Sequence, residues 1–167
     1  ENCYGISAET VEEIEKLLTL TGQKFYKSKC IADEIAGLLA RGKIIGWFQG
    51  SLEGGPRALG QRSILADPRY IENRDKVNNI IKFREYWRPF CPSMLVEHAE
   101  EYLEKFTDAK FMILAFKAKQ KLKDEAPAIV HVDGTTRVQL VEKEYNPNYH
   151  DLISSFKKIT DVPVLMN

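Results

Sequence analysis

A chain of 167 residues with 44% hydrophobic and 29% charged residues is long enough to bury a core as one domain, which excludes a disordered or low-complexity protein. Lysine plus arginine and aspartate plus glutamate number 24 each, so the net charge is zero and the basic excess of a general nucleic-acid binder is missing. The cations that matter are grouped locally instead, which favours a small charged ligand over a long polyanion.

Residues 1 to 6 read as a lead-in. Ser7 or Thr10 caps a first helix, with Glu13 at capping-box spacing from Thr10. Val11, Ile14, Leu17 and Leu18 fall on one face and Gly22 ends the helix. After a short link at Phe25 and Tyr26, Ser28 is a plausible cap for a second helix, whose stripe is Ile31, Ile35, Leu38 and Leu39 and whose C-terminal glycine is Gly42. Both helices read as scaffold. Lys43-Ile-Ile-Gly-Trp-Phe48 is a buried strand, and Ser63 to Ala66 a second, stopped by Asp67-Pro68. A third helix is predicted from Glu72 to Phe83 with Val77, Ile80 and Ile81 inward and Lys82 at its end.

Pro89 and Pro92 then forbid regular helix. Met94 to Val96 reads as a strand, His98 to Phe106 as a helix, Phe111 to Phe116 as a strand, and Lys117 to Glu125 as an exposed, mobile loop. Ala128 to Val132 and Arg137 to Val141 read as strands around the turn Asp133-Gly134-Thr135. A last helix near Tyr149 to Lys158 carries Leu152, Ile153 and Phe156, and Val162 to Met166 closes as a strand with Pro163 at an edge or first position. The class is α/β or α+β on a mixed sheet flanked by helices.

No packing pattern explains Leu52-Glu-Gly-Gly-Pro-Arg-Ala-Leu-Gly-Gln-Arg-Ser63 or Lys82-Phe-Arg84-Glu-Tyr-Trp-Arg88-Pro-Phe90. Glycines let a backbone approach a ligand closely, and nearby arginines present planar forks to phosphate or carboxylate. The first stretch follows neither the Walker nor the dinucleotide order. It reads either as a tight surface turn or as an anion loop at a sheet end. Arg57 and Arg62 have Glu53 and Asp67 as possible structural partners.

Lys82 and Arg84 have a structural explanation at a helix C-terminus. Arg88, between Trp87 and Pro89, must be paired with a carboxylate or a ligand, and the ligand is favoured. In His131-Val-Asp-Gly-Thr-Thr-Arg137 a hairpin tip explains Asp133 and Gly134 but neither His131 nor Arg137. Cys3, Cys30 and Cys91 are widely spaced with no CxxC pair, so free thiols in a reducing cytoplasm are expected, and no transition-metal site. No apolar run nears the ~18 residues of a membrane span, and no signal peptide opens the chain. Glu1 is not a start methionine, so a longer parent chain is expected.

Four segments together, Glu53 to Gly60, Arg62 to Arg69, Lys82 to Phe90 and His131 to Gln139, resemble the C-terminal domain of O-carbamoyltransferases of the nodulation-protein-U and antibiotic carbamoyltransferase type. The resemblance spans essentially all of residues 1–167 and implies a YrdC-like fold, a twisted mixed sheet flanked by helices. It implies a domain that makes carbamoyl-adenylate from ATP, with Mg2+, and carbamoyl phosphate. A separate N-terminal domain of the actin-like ATPase superfold, holding iron and absent here, then passes the carbamoyl group to a hydroxyl of a small molecule or glycan.

By motif position the resemblance puts Arg57, Lys82, Arg88 and Arg137 around the nucleotide and carbamoyl phosphate, with Lys82 and Arg88 in the catalytic role. Arg62, Ser63, Arg84, Ser93 and His131 come second. It implies a cytoplasmic protein with no membrane partner. The sequence departs from the family at Gly54, where an aromatic residue is usual, and stops before a Thr-Ser-Phe-Asn-like segment, so incomplete turnover by this chain alone is expected. The competing readings are a YrdC-like RNA-binding module, which the zero net charge opposes, and a non-catalytic docking domain.

Overall fold

The structure is a computed structural model that describes residues 10–51 and 53–167. The lead-in at 1–6, the Ser7 cap, Cys3 and Leu52 lie outside the described residues. Helix α1 (Val11–Leu20) opens with the expected capping box: the Glu13 amide donates to Thr10 Oγ1 and the Thr10 amide to Glu13 Oε2. Its apolar face is not scaffold. Val11, Ile14 and Leu17 are exposed, and no residue of α1 is buried.

Helix α2 (Ile31–Ala40) starts after Cys30 without a side-chain cap, so Ser28 does not cap it. Its inward face is Ala36 and Leu39 with Ile35 partly buried, while Ile31 is exposed. It ends in a Schellman turn: the Gly42 amide bonds the Leu39 carbonyl and the Lys43 amide that of Leu38, with Gly42 at φ +76°.

Strand β1 (Ile45–Phe48) pairs antiparallel with β2 (Arg62–Leu65), Trp47 facing Ser63. Helix α3 (Ile71–Lys76) runs into a π turn over Val77–Ile81, closed by the Lys82 amide on the Val77 carbonyl at 2.9 Å. A π turn adds a residue to the helical repeat and rotates the faces that follow. Val77 is buried as expected, but Asn78 takes the next inward position and Ile80 and Ile81 are turned to solvent.

Strand β3 (Pro92–Leu95) begins two residues earlier than read from sequence, and a 3-10 turn at Val96–His98 leads into the short α4 (Ala99–Tyr102). The expected helix to Phe106 stops there, because the chain becomes strand β4 (Leu103–Glu104) and Lys105 takes φ 46°. Phe111 to Ala115 is irregular rather than a strand, with Ile113 and Leu114 exposed and Met112 buried at φ 53°. The expected loop at 117–125 is instead β5 (Phe116–Ala118) and α5 (Gln120–Glu125), anchored by the fully buried Leu122. Pro127–Ile129 forms a 3-10 turn where a strand was expected. Strand β6 (Thr135–Thr136) completes the antiparallel set β4-β5-β6, and β7 (Gln139–Val141) follows.

Helix α6 (Pro147–Thr160) buries Tyr149, Leu152, Ile153 and Phe156 against α2 and the sheet of β3 and the final strand β8 (Val164–Met166). Strand β3 is parallel to β7 on one side and antiparallel to β8 on the other, a mixed sheet. The Ala66 and Met166 amides and carbonyls exchange bonds of 3.1 and 3.0 Å, which joins the β1-β2 hairpin to β8. Strand β8 is therefore bonded on both sides, and Pro163 lies just before it. The class is α+β, as read from sequence.

Gly60 sits where the glycine loop meets α6. It has φ +99°, and a Cβ there would lie 2.3 Å from the Tyr149 ring. Its carbonyl accepts from Trp47 Nε1 and its amide donates to Ser63 Oγ. Gly60→Ala is expected to lose about 2–4 kcal/mol of stability through strained φ and overpacking, read as a lower denaturant midpoint.

Candidate active site

The glycine loop is organised by a buried carboxylate. Glu53 is 6% exposed, and its oxygens accept the backbone amides of Leu59, Gln61 and Arg62 at 2.9–3.3 Å. Arg62 returns over the loop, with Nη2 donating to the Gly55 carbonyl and Nε 3.9 Å from Glu53. It is spent on structure. Gln139 donates to the Leu59 carbonyl and accepts from Ser93, and Asn167 donates to the Ala58 carbonyl and to Ser93. Ser63 and Ser93 are thus buried posts under the loop. Arg57 stands half-buried and makes no hydrogen bond or ion pair among the described residues.

The proline segment is laced to the π turn by Asn78, which is fully buried. Its Nδ2 donates to the Tyr86 and Arg88 carbonyls, and its Oδ1 accepts Arg84 Nε at 2.6 Å. Arg84 and Lys82 are thereby brought over the same ring, Phe90, at 4.5 Å and 5.7 Å from its centroid. Just beyond, Arg137 donates from Nε and Nη2 to Cys91 Sγ at 3.2 and 3.0 Å. Lys82, Arg84 and Arg137 converge on Phe90 and Cys91. None has a carboxylate within ion-pair distance among the described residues.

Such a cluster works against itself. Burial, and after it the charge of Arg84, lowers the Lys82 pKa from its ordinary value; burial, and after it Arg88, lowers that of Arg84. Groups perturbed by burial and like charge together mark places built for an opposite charge. Arg88 is the exception, half-exposed and bonded to Glu85 at 2.9 Å. A bridge this open is worth only ~0.2–1 kcal/mol. It does not remove Arg88 from reach of an anion.

His131 flanks the cluster. Its Nδ1 meets Thr135 Oγ1 at 3.2 Å, and the Thr135 hydroxyl and amide donate to Asp133. Its Nε2 is buried near the Phe90 backbone without a hydrogen bond of normal length, and burial lowers its pKa. Among the described residues no group of three or more His, Cys, Asp or Glu side chains is placed to hold a metal ion.

A cavity of about 890 Å³ lies elsewhere, between the glycine loop and β7. Its wall includes Asp108, Glu142 and Glu144 with Phe111 and Tyr145, and its one cation, Lys110, is bonded to Glu142. Volume and positive charge therefore point to different places. The cation cluster has the chemistry for an anion, and the acid-lined cavity does not.

The family model of the carbamoyltransferase C-terminus matches residues 36–167. The chain belongs to that family. It is 48% identical over 132 residues to an uncharacterized protein of Methanocaldococcus jannaschii, covering 79% of this chain and 22% of that protein. It is 46% identical over 144 residues to nodulation protein NolO of Bradyrhizobium diazoefficiens, covering 84% and 26%. To nodulation protein U of Rhizobium fredii it is 35% identical over 143 residues, covering 86% and 24%. The chain spans about a quarter of the length of these curated relatives. Helix α1 precedes the matched residues of this carbamoyltransferase domain. No helix among the described residues is long and apolar enough to cross a membrane.

Sequence reasoning offered Glu53 as a partner of Arg62, which the structure bears out, and missed Asn78, Cys91 and Gln139 as organisers of the site in this carbamoyltransferase domain. A pair of asparagines inside an otherwise apolar helical pattern was the one local signal for Asn78. Asn78→Ala is expected to cost about 1–3 kcal/mol, because it removes a fully buried amide that ties the Tyr86 and Arg88 carbonyls and the Arg84 guanidinium together. Proteolysis should then cut first within residues 83–88.

Proposed function

We propose that this carbamoyltransferase domain binds ATP and carbamoyl phosphate and forms carbamoyl-adenylate for O-carbamoyl transfer to a hydroxyl of a small molecule or glycan. The observation that carries this reading is the convergence of Lys82, Arg84 and Arg137 with no carboxylate within ion-pair distance among the described residues. In the reaction water first splits carbamoyl phosphate into carbamate and inorganic phosphate, and a carbamate oxygen then bonds to the α-phosphorus of ATP as the bond to pyrophosphate breaks. Negative charge grows on the phosphoryl and leaving oxygens, and fixed cations stabilise it. No side-chain nucleophile is needed.

Lys82 and Arg137 take the phosphates in this reading. Arg84 supports them over Phe90, and Arg88 exchanges Glu85 for the ligand. Arg57 and His131 border the site. Mg2+ would come with the nucleotide and would offset phosphate charge, since no group of three or more His, Cys, Asp or Glu side chains is placed to hold it among the described residues. The YrdC-like arrangement that the family resemblance implies agrees with a mixed sheet flanked by helices. The transfer step belongs to the remainder of a longer protein, and the exposed Ile80, Phe83, Tyr86 and Trp87 beside the cations give such a domain a face to cover.

Lys82→Ala and Arg137→Ala are each expected to weaken ATP binding by about 2–3 kcal/mol, or 30- to 150-fold, in calorimetry. Unchanged affinity in both variants would sink the reading. A pH series gives a second check. Because Lys82 titrates below its ordinary 10.5, affinity is full below that depressed pKa and falls once the pH rises through it. Lys82→Arg, which stays charged, should flatten the fall.

A further inference from the structure

We propose that Cys91 is the positioning residue for Arg137, its thiol holding the guanidinium in the site while leaving its charge free for an anion. The inference rests on the nucleotide reading given above. Cys91 Sγ receives both the Nε and the Nη2 of Arg137, and no other hydrogen bond fixes that guanidinium among the described residues. The thiol is itself well placed for this. Cys91 is 6% exposed, its carbonyl accepts the Asn167 amide at 2.9 Å, and the next residue begins β3. The sulfur is thus fixed by backbone pairing between β3 and the end of β8.

The choice of acceptor matters. A carboxylate at this position would orient Arg137 equally well, but it would form a full ion pair and compete with a phosphate for the same fork. A thiol is a weak acceptor with no obligatory charge. It fixes direction and gives the fork up readily when an anion arrives. Lys82 and Arg84 lie over the ring of Phe90, the residue before Cys91. One polarisable sulfur thus stands at a cluster of three cations that have no carboxylate within ion-pair distance among the described residues, and it bonds Arg137. A small apolar residue would fill the space and leave the fork undirected.

The test compares Cys91→Ser, Cys91→Ala and Cys91→Asp in the wild-type and Arg137→Ala backgrounds, reading ATP affinity by calorimetry and folding by thermal melting. Cys91→Ala is expected to weaken ATP about tenfold. Cys91→Ser, which keeps an acceptor, should stay within about twofold, and Cys91→Asp should lose more than Cys91→Ala despite keeping the fork oriented. In the Arg137→Ala background Cys91→Ser and Cys91→Ala should bind ATP alike, a convergence that a merely structural role would not produce.

Equal affinity of wild type and Cys91→Ala overturns the proposal. So does a loss of the same size with Arg137 already removed, since the thiol would then act by packing. If Arg137→Ala leaves ATP binding unchanged while Lys82→Ala weakens it, the role of Cys91 fails and the nucleotide reading stands; if neither variant weakens it, both fail. Should Cys91→Ala melt too low to assay, the NMR signal of Arg137 Nε–H decides. It should be protected from exchange in wild type and in Cys91→Ser, and rapid exchange in wild type refutes the contact.

Discussion

The last strand, Val164–Met166, is what makes a site out of distant pieces of chain. Bonded to β3 along one side and to Ala66 on the other, it joins the hairpin that carries the glycine loop to the sheet that carries Cys91 and Ser93. Asn167 extends the join, with its backbone on the Cys91 carbonyl and its side chain on Ala58 and Ser93. The mixed sheet is less a support beneath the site than the means by which the loop and the proline segment are held in one frame. Backbone bonds between buried strands give that frame its rigidity.

On that frame the protein spends stability to keep positive charge unpaired. Several cations elsewhere have an acid: Arg69 lies 2.7 Å from the buried Asp67, Lys110 reaches Glu142, and Lys121 reaches Glu101. Lys82, Arg84 and Arg137 are bonded to aromatic, amide and thiol groups instead. Those partners orient a cation and leave its charge available. The contrast with Arg69, whose guanidinium is held by a buried carboxylate, is one that residue type alone does not draw.

What was legible in the sequence was local. The Thr10–Glu13 capping box, the glycine at 42 after α2 and the apolar stripe of α6 each declare themselves within a few residues, and they stand where they were read. The stretch from 98 to 132 was misread because its strands are two or three residues long and its helices are short, α4 with Ala99 and Tyr102 buried and α5 with Leu122 as its single deep anchor. Pairing across the chain, not periodicity, decides those states. The inward face of α3 was lost for a different reason, a π turn that no propensity announces. The amphipathic stripe of α1 correctly announced a helix and wrongly announced burial.

The site shows the same division. Its cations stood out by type and grouping, and the family resemblance agreed with the match to the carbamoyltransferase C-terminus. Their partners did not stand out, since Asn78, Cys91 and Gln139 act across separations that only folding closes. The most direct measurement is a crystal structure with a non-hydrolysable ATP analogue bound. The account predicts phosphate oxygens at about 2.7–3.0 Å from Lys82 Nζ and the Arg137 guanidinium, with Cys91 Sγ behind the latter. A nucleotide seated in the acid-lined cavity beside Glu142 and Tyr145, with those cations untouched, would contradict it.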